Sequence, residues 1–249
     1  MNIMNINNIM NINNILFIII IIIIVILVCL TVINYKKKNH SIIDLSIDPA
    51  IRECSQRFDM ERIYEYPNFL SEEECDIIIQ LAKPKLSRSK VLSDTNMYDN
   101  IRTSKNTFLN NNEHTILDDI DNKIYSIINI NTKNYESLQV VNYKTDQEYK
   151  PHYDACIDNS QACINDNKRG GFRYATFIIY LTTNYNGGGT IFPEKNITIT
   201  PQKGKAVLFF NLNDTLTGVR KNSIHGGLPP NQGEKWMCNK WIRLKPIKK

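Results

Sequence analysis

Apolar and polar positions alternate along this chain in three different ways, and each predicts a different kind of element. From Ile15 to Ile33 the residues are uncharged and overwhelmingly apolar. At 1.5 Å per residue that run would reach about 28 Å, close to the ~30 Å hydrocarbon thickness of a bilayer. It predicts a transmembrane anchor over 15–33, preceded by an Asn-rich low-complexity segment over 1–14. Residues 34–60 show no sustained period and predict a tether. A helical period follows in "YPNFLSEEECDIIIQLAK", where Ser71 can cap, Glu74 can reach back, and Ile77, Ile78 and Leu81 share a face. A second helix is predicted in "EHTILDDIDNKIYSIINI", with Ile116, Leu117, Ile120, Ile124, Ile127 and Ile128 at helical spacing.

From residue 137 the pattern shortens to strands. "SLQVVNY", "FRYATFIIYLTT", "NITIT", "KAVLFFNL" and "KWMCNKWIRL" are β-branched and aromatic, separated by turns such as "NYNGGG" and "TPQKGK". Helices followed by a run of strands predict an α+β fold, with helices packed on an antiparallel sandwich or barrel. The unit is expected to occupy 61–249.

Charge adds little. The net +5 comes largely from Lys36, Lys37, Lys38 and the tail "KPIKK", solvated flanks that give no reason to expect nucleic acid as a partner. Six cysteines without a C-x-x-C pair exclude a zinc site of that type. The short loop "CIDNSQAC" could close as a disulfide in an oxidising compartment.

The chemistry begins at "EYKPHYDAC". If this stretch is extended, His152 and Asp154 project to one face, the geometry of two ligands for one ion. The bland alternative is a surface histidine beside a carboxylate. Of the other three histidines, His40 lies in the tether and His114 opens a helix, which leaves His225 in "SIHGGLPP". A turn histidine is the alternative there. Two imidazoles and one carboxylate make the facial triad that suits non-haem Fe(II) and oxygen chemistry.

Several linked stretches then carry a resemblance. "LQVVNYKTDQEYKPHYD", "RYATFIIYLTTNYNGGGTIFP", "KGKAVLFFN" and "SIHGGLPPNQGEKWMCNKWI" are similar, in order, to the catalytic core of the prolyl 4-hydroxylases, Fe(II)- and 2-oxoglutarate-dependent dioxygenases; "PNFLSEEECD" and "IRTSKNTFL" extend the match upstream. The resemblance implies a double-stranded β-helix (jelly-roll) core. It implies His152, Asp154 and His225 as iron ligands, Lys235 as the cation for the distal carboxylate of 2-oxoglutarate, Tyr143 and Thr190 as hydroxyls facing that co-substrate, and Trp241 in the pocket lining. Tyr149, Arg173, Arg102 and Ser104, with Glu136 and Gln139, match positions near the peptide groove. O2 and 2-oxoglutarate would be consumed with release of succinate and CO2, and L-ascorbate would serve as reductant.

The substrate implied is peptidyl proline in a proline-rich or collagen-like chain, hydroxylated at ring carbon 4. Two rivals stand beside it: a dioxygenase of the same superfamily acting on another residue or a small molecule, and a membrane-tethered binding module without catalysis. The loop "ACIDNSQACINDNKRGG" is expected to be a mobile lid. The lysine run after the apolar stretch favours a cytoplasmic catalytic unit, whereas anchored relatives act in the secretory pathway; a lumenal, endoplasmic-reticulum location is the expectation.

Overall fold

The computed structural model describes residues 17, 19–28, 30, 47–91, 101–183 and 186–248. It divides into two compact units, Met1–Leu45 and Ser46–Lys249. In the first, the anchor expected over 15–33 lies partly outside the described residues. The described run 19–28 is helical, with its isoleucine, valine and leucine side chains exposed. Among the described residues no helix is long and apolar enough to cross a membrane, so the transmembrane expectation is not supported. Ten residues of helix rise only about 15 Å.

The second unit opens with a helix that the sequence reading took for tether. Helix α1, Pro49–Arg57, starts at Asp48, whose carboxylate accepts from Ala50 N–H, and has proline at its first position. It buries Ile51 and Cys54 completely. Two apolar contacts in nine residues are too few to register as a period, which is why a tether was expected there. The backbone N–H of Asp48 also donates to Leu244 O at 3.1 Å, joining the two ends of the unit.

Helix α2, Glu72–Ala82, carries the predicted capping box: Glu74 N–H donates to Ser71 Oγ and Ser71 N–H to the Glu74 carboxylate. Helix α3, Thr115–Ile128, ends on Asn129 in the left-handed region. It buries Ile116, Leu117, Ile120, Ile124 and Ile128 as predicted, with Ile127 half-buried.

The described residues form thirteen strands: β1 (Tyr64–Tyr66), β2 (Ser87–Arg88), β3 (Lys105–Leu109), β4 (Leu138–Tyr143), β5 (Tyr149–His152), β6 (Arg173–Tyr180), β7 (Asn186–Gly187), β8 (Thr190–Phe192), β9 (Ile197–Ile199), β10 (Ala206–Phe210), β11 (His225–Gly227), β12 (Pro230–Gln232) and β13 (Lys235–Arg243). A seven-stranded sheet has the order β1-β10-β6-β13-β4-β3-β2, and a four-stranded sheet the order β5-β11-β8-β9. Every pairing is antiparallel. This mixed fold of helices and two antiparallel sheets is consistent with the expected jelly-roll.

Alternation along the large sheet sorts its side chains into two cores. Val140, Phe177, Ile179, Leu208 and Cys238 join the cluster that the helices cover. Val141, Tyr143, Ile178, Tyr180, Val207, Phe209 and Met237 face the other way and pack with Phe192 and Ile199 of the small sheet. The functional residues belong to this second interior.

One further expectation changes. Between β5 and β6 the chain forms helix α4, Gln161–Asn167, capped by Ser160, and Cys156 is disulfide-bonded to Cys163. A seven-residue helix interrupts a region read as strands and lid only.

Candidate functional site

His152 and His225 are direct register partners across the β5–β11 pair, so strand pairing alone sets their rings side by side, 4.5 Å between centroids. Asp154 follows two residues after His152. Its Oδ1 lies 3.7 Å from His152 Nε2 and its Oδ2 3.6 Å from His225 Nε2, and the three candidate ligand atoms all fall within 4.8 Å of one another. Each imidazole uses Nδ1 on a backbone carbonyl, Lys150 O for His152 and Ser223 O for His225, both at 2.9 Å. That fixes ring orientation and leaves both Nε2 atoms turned to the shared point.

The charges fit a metal. Burial pushes His225 down to about 4, outweighing the pull of Asp154, so its imidazole is neutral near pH 7. Burial works against ionised Asp154, yet His225 and His152 hold its carboxyl well below the usual range. Thr176 Oγ donates to Asp154 Oδ2 at 2.8 Å and itself accepts from Asn211 Nδ2 at 2.8 Å. Two imidazole nitrogens and one oriented carboxylate form a donor set for Fe(II). A second cluster, Cys156, Asp158 and Cys163, has its two sulfurs committed to the disulfide.

Deeper in the same interior, Lys235 is fully buried at the start of β13. Among the described residues its Nζ has no hydrogen-bond partner, and it lies 5.0 Å from the Tyr143 ring centroid. Burial alone lowers its pKa to about 7. An orphaned ammonium is costly unless an anion meets it. A Cβ on Gly227 would come 3.3 Å from Tyr143 Oη and 3.7 Å from Lys235 Nζ. Thr190 is buried nearby in the small sheet, beside Gly227 in register, and accepts from Tyr180 Oη at 2.7 Å. The donor set suits a dicarboxylate.

The opposite end opens into a groove of about 840 Å³. Tyr149 stacks on His152 at 3.5 Å between centroids, and the Arg102 guanidinium lies 4.7 Å over Tyr149. Arg173 lies 3.6 Å over the Trp241 ring and donates twice to Glu136, at 2.7 and 3.0 Å. Trp241 lines the groove, six residues of extended β13 and about 20 Å from Lys235. Ser104 is buried against Ser89 Oγ at 3.0 Å. Gln139 accepts from Arg102 and Asn239.

A sequence profile described as the 2OG-Fe(II) oxygenase superfamily matches residues 138–243, which contain every one of these ligands and Lys235. The chain is 34% identical over 209 residues to probable prolyl 4-hydroxylase 7 of Arabidopsis thaliana, covering 76% of this chain and 64% of that one. It is 33% identical over 232 residues to probable prolyl 4-hydroxylase 6 of the same plant, covering 84% and 77%. The chain belongs to the prolyl 4-hydroxylases. Proline hydroxylation by a 2OG-Fe(II) oxygenase is the reaction that membership assigns to it. A putative prolyl 4-hydroxylase of Acanthamoeba polyphaga mimivirus is 36% identical over 71% of this chain. Among solved structures, the viral collagen prolyl hydroxylase of Paramecium bursaria Chlorella virus-1, in complex with 2OG, aligns with TM-score 0.58 at 32% identity, covering 73% of this chain and 94% of that one.

Sequence reasoning missed Thr176, Asn211, Tyr180 and Gly227. Thr176 and Asn211 are polar residues inside apolar strand runs, a signal that alternation could have flagged. Tyr180 and Gly227 show themselves only through partners distant in sequence.

Proposed function

We propose that the protein hydroxylates peptidyl proline at ring carbon 4, using Fe(II) held by His152, Asp154 and His225. The observation that carries this reading is the buried, unpartnered Lys235 ammonium sharing one interior with the two-histidine, one-carboxylate cluster. Iron, 2-oxoglutarate and O2 together would supply the oxidative step, yielding succinate, CO2 and the hydroxylated carbon. The chain's own residues do the rest. Lys235 and the Tyr143 hydroxyl fix the co-substrate carboxylate at the closed end. Thr176 and two backbone carbonyls hold the three ligands in orientation. The enclosing apolar side chains, Phe192, Phe209, Ile178 and Met237, exclude water. Tyr149, Arg173 and Trp241 face the open groove, where an extended peptide can be gripped by its carbonyls.

L-ascorbate as reductant, a proline-rich or collagen-like substrate, and a jelly-roll closed as a double-stranded β-helix belong to the same proposal. So does attachment to the endoplasmic-reticulum membrane with a lumenal catalytic unit. The uncharged run 15–33 supports the attachment, and the Cys156–Cys163 disulfide supports an oxidising compartment. Protease protection in intact microsomes checks it; digestion without detergent would refute a lumenal unit.

Succinate release and mass spectrometry on proline-rich, collagen-like and lysine-containing peptides test the activity. Hydroxyproline is the expected product. Oxygen on lysine or asparagine with proline untouched would overturn the substrate.

A further inference from the structure

Among the described residues, three buried or half-buried arginines of the second unit have carboxylate partners, and Arg102 does not. Arg173 is paired with Glu136, Arg243 with Glu136 and Asp166, and Arg220 with Glu61 and Asp214. Arg102 is 7% exposed and lines the groove. Its Nη2 donates to Gln139 Oε1 at 3.2 Å and its Nη1 to Lys90 O at 3.4 Å, a long contact; its Nε is buried and has no partner among the described residues. The Tyr149 ring covers the guanidinium plane. Among the described residues no carboxylate pairs with it. Neutral acceptors satisfy part of its hydrogen-bonding capacity and none of its charge.

A desolvated guanidinium without a counter-ion is costly, and the cost falls when a carboxylate arrives to form a charge-assisted pair. Among the described residues that line the groove, no carboxylate is paired with Arg102. Asp154 is committed to the metal cluster, Asp166 to Arg243, and Asp158 accepts from Ser160 N–H at 2.8 Å. We infer that the substrate supplies it: the peptide recognised here carries an aspartate or glutamate close to the target proline, held by Arg102. Position follows from the stack. Arg102 over Tyr149 and Tyr149 on His152 are two steps of 4.7 and 3.5 Å, so the guanidinium lies within about 8 Å of the His152 ring. A polyproline II chain rises about 3.1 Å per residue, which places the acidic side chain two or three residues from the hydroxylated ring. This inference rests on the peptidyl-proline reading and names its substrate class more narrowly.

The test uses the full chain with Fe(II), 2-oxoglutarate and single-proline peptides that are identical except for Glu, Gln or Lys placed two or three residues before or after the proline. Hydroxyproline is measured by mass spectrometry. At one of those positions kcat/KM for the Glu peptide should exceed that for the Gln peptide by about tenfold, the scale of one hydrogen bond to a charged group, and Lys should be worse than Gln. Arg102→Gln should bring the Glu/Gln ratio close to one, while Arg102→Lys retains part of it. Equal use of Glu and Gln peptides at all four positions would overturn the inference. So would a preference that survives in folded Arg102→Gln protein. If that variant does not fold, the Glu/Gln ratio of the unaltered enzyme decides. Hydroxylation indifferent to charge removes this inference alone; failure to hydroxylate any proline peptide, with 2-oxoglutarate still consumed, removes the peptidyl-proline reading and this with it.

Discussion

Lys235 and Thr176 act on opposite ends of the same charge arrangement, and each gives a measurable consequence. With burial holding Lys235 near 7, the free site is half-charged at neutral pH, and a bound dicarboxylate must draw in a proton wherever the amine is neutral. The folded pKa is depressed, so the charged form dominates below about 7 and is lost above it. Binding of 2-oxoglutarate should therefore weaken with rising pH above 7, by up to about tenfold per unit. Calorimetry with Mn(II) in place of iron, in buffers of different ionisation enthalpy, should show proton uptake at pH 8 and little at pH 6. Lys235→Ala should abolish both the uptake and most of the affinity while metal binding persists. At the other end, Thr176→Val removes the only described side-chain donor to Asp154. Loss of such an outer hydrogen bond lowers metal affinity by roughly tenfold or more, readable as a shift in the Mn(II) titration midpoint; an unchanged midpoint would show that Asp154 needs no such support.

At the scale of elements, what could be read ahead depended on length. The helices α2 and α3 were legible because eleven and fourteen residues carry several turns of apolar period and, in α2, a capping box. Helices α1 and α4, nine and seven residues long, offer one or two buried contacts each and no period. Ile51 is nonetheless fully buried, so Ile51→Ala should cost about 2–5 kcal/mol of stability in urea unfolding. The segment from Tyr153 to Phe172 illustrates the same limit. Its residues suggested a mobile lid, but the structure staples it three times. The disulfide closes Cys156 on Cys163, Asn167 Nδ2 donates to Cys156 O at 2.7 Å, and Asp166 binds Arg243 at 2.8 and 2.9 Å. This wall is organised before any peptide arrives. Reduction, or a Cys156→Ser/Cys163→Ser pair, should raise the peptide KM severalfold and leave 2-oxoglutarate affinity unchanged, since ordering the loop must then be met on binding.

The whole molecule is held together by pairings that no local pattern announces. His152, Asp154, His225 and Lys235 could be picked out as a site by residue type and family resemblance. Glu136 and Arg243, 107 residues apart, could not be seen as partners, nor could Thr176 as the bridge from the large sheet to Asp154, two residues past β5 of the small one. Arg243 is fully buried and satisfies Glu136, Asp166 and Gly171 O together. Arg243→Leu leaves buried Glu136 and half-buried Asp166 short of a cation and should destabilise the domain by about 3–5 kcal/mol; a shift in denaturant midpoint checks it.

The hydrogen bond from Asp48 N–H to Leu244 O has a topological meaning. It brings the first helix and the last strand of the catalytic unit to one point in space, so the polypeptide between them is nearly a closed ring, and the order in which a ribosome writes its elements is not dictated by their packing. A short Gly/Ser linker could join residue 248 to residue 47, with new termini cut at exposed Asn112. Chains rearranged in this way are tolerated where the original ends are adjacent and the new ones exposed. Such a permutant should fold and bind Mn(II) like its parent, and its peptide turnover would measure how far the groove depends on the first unit.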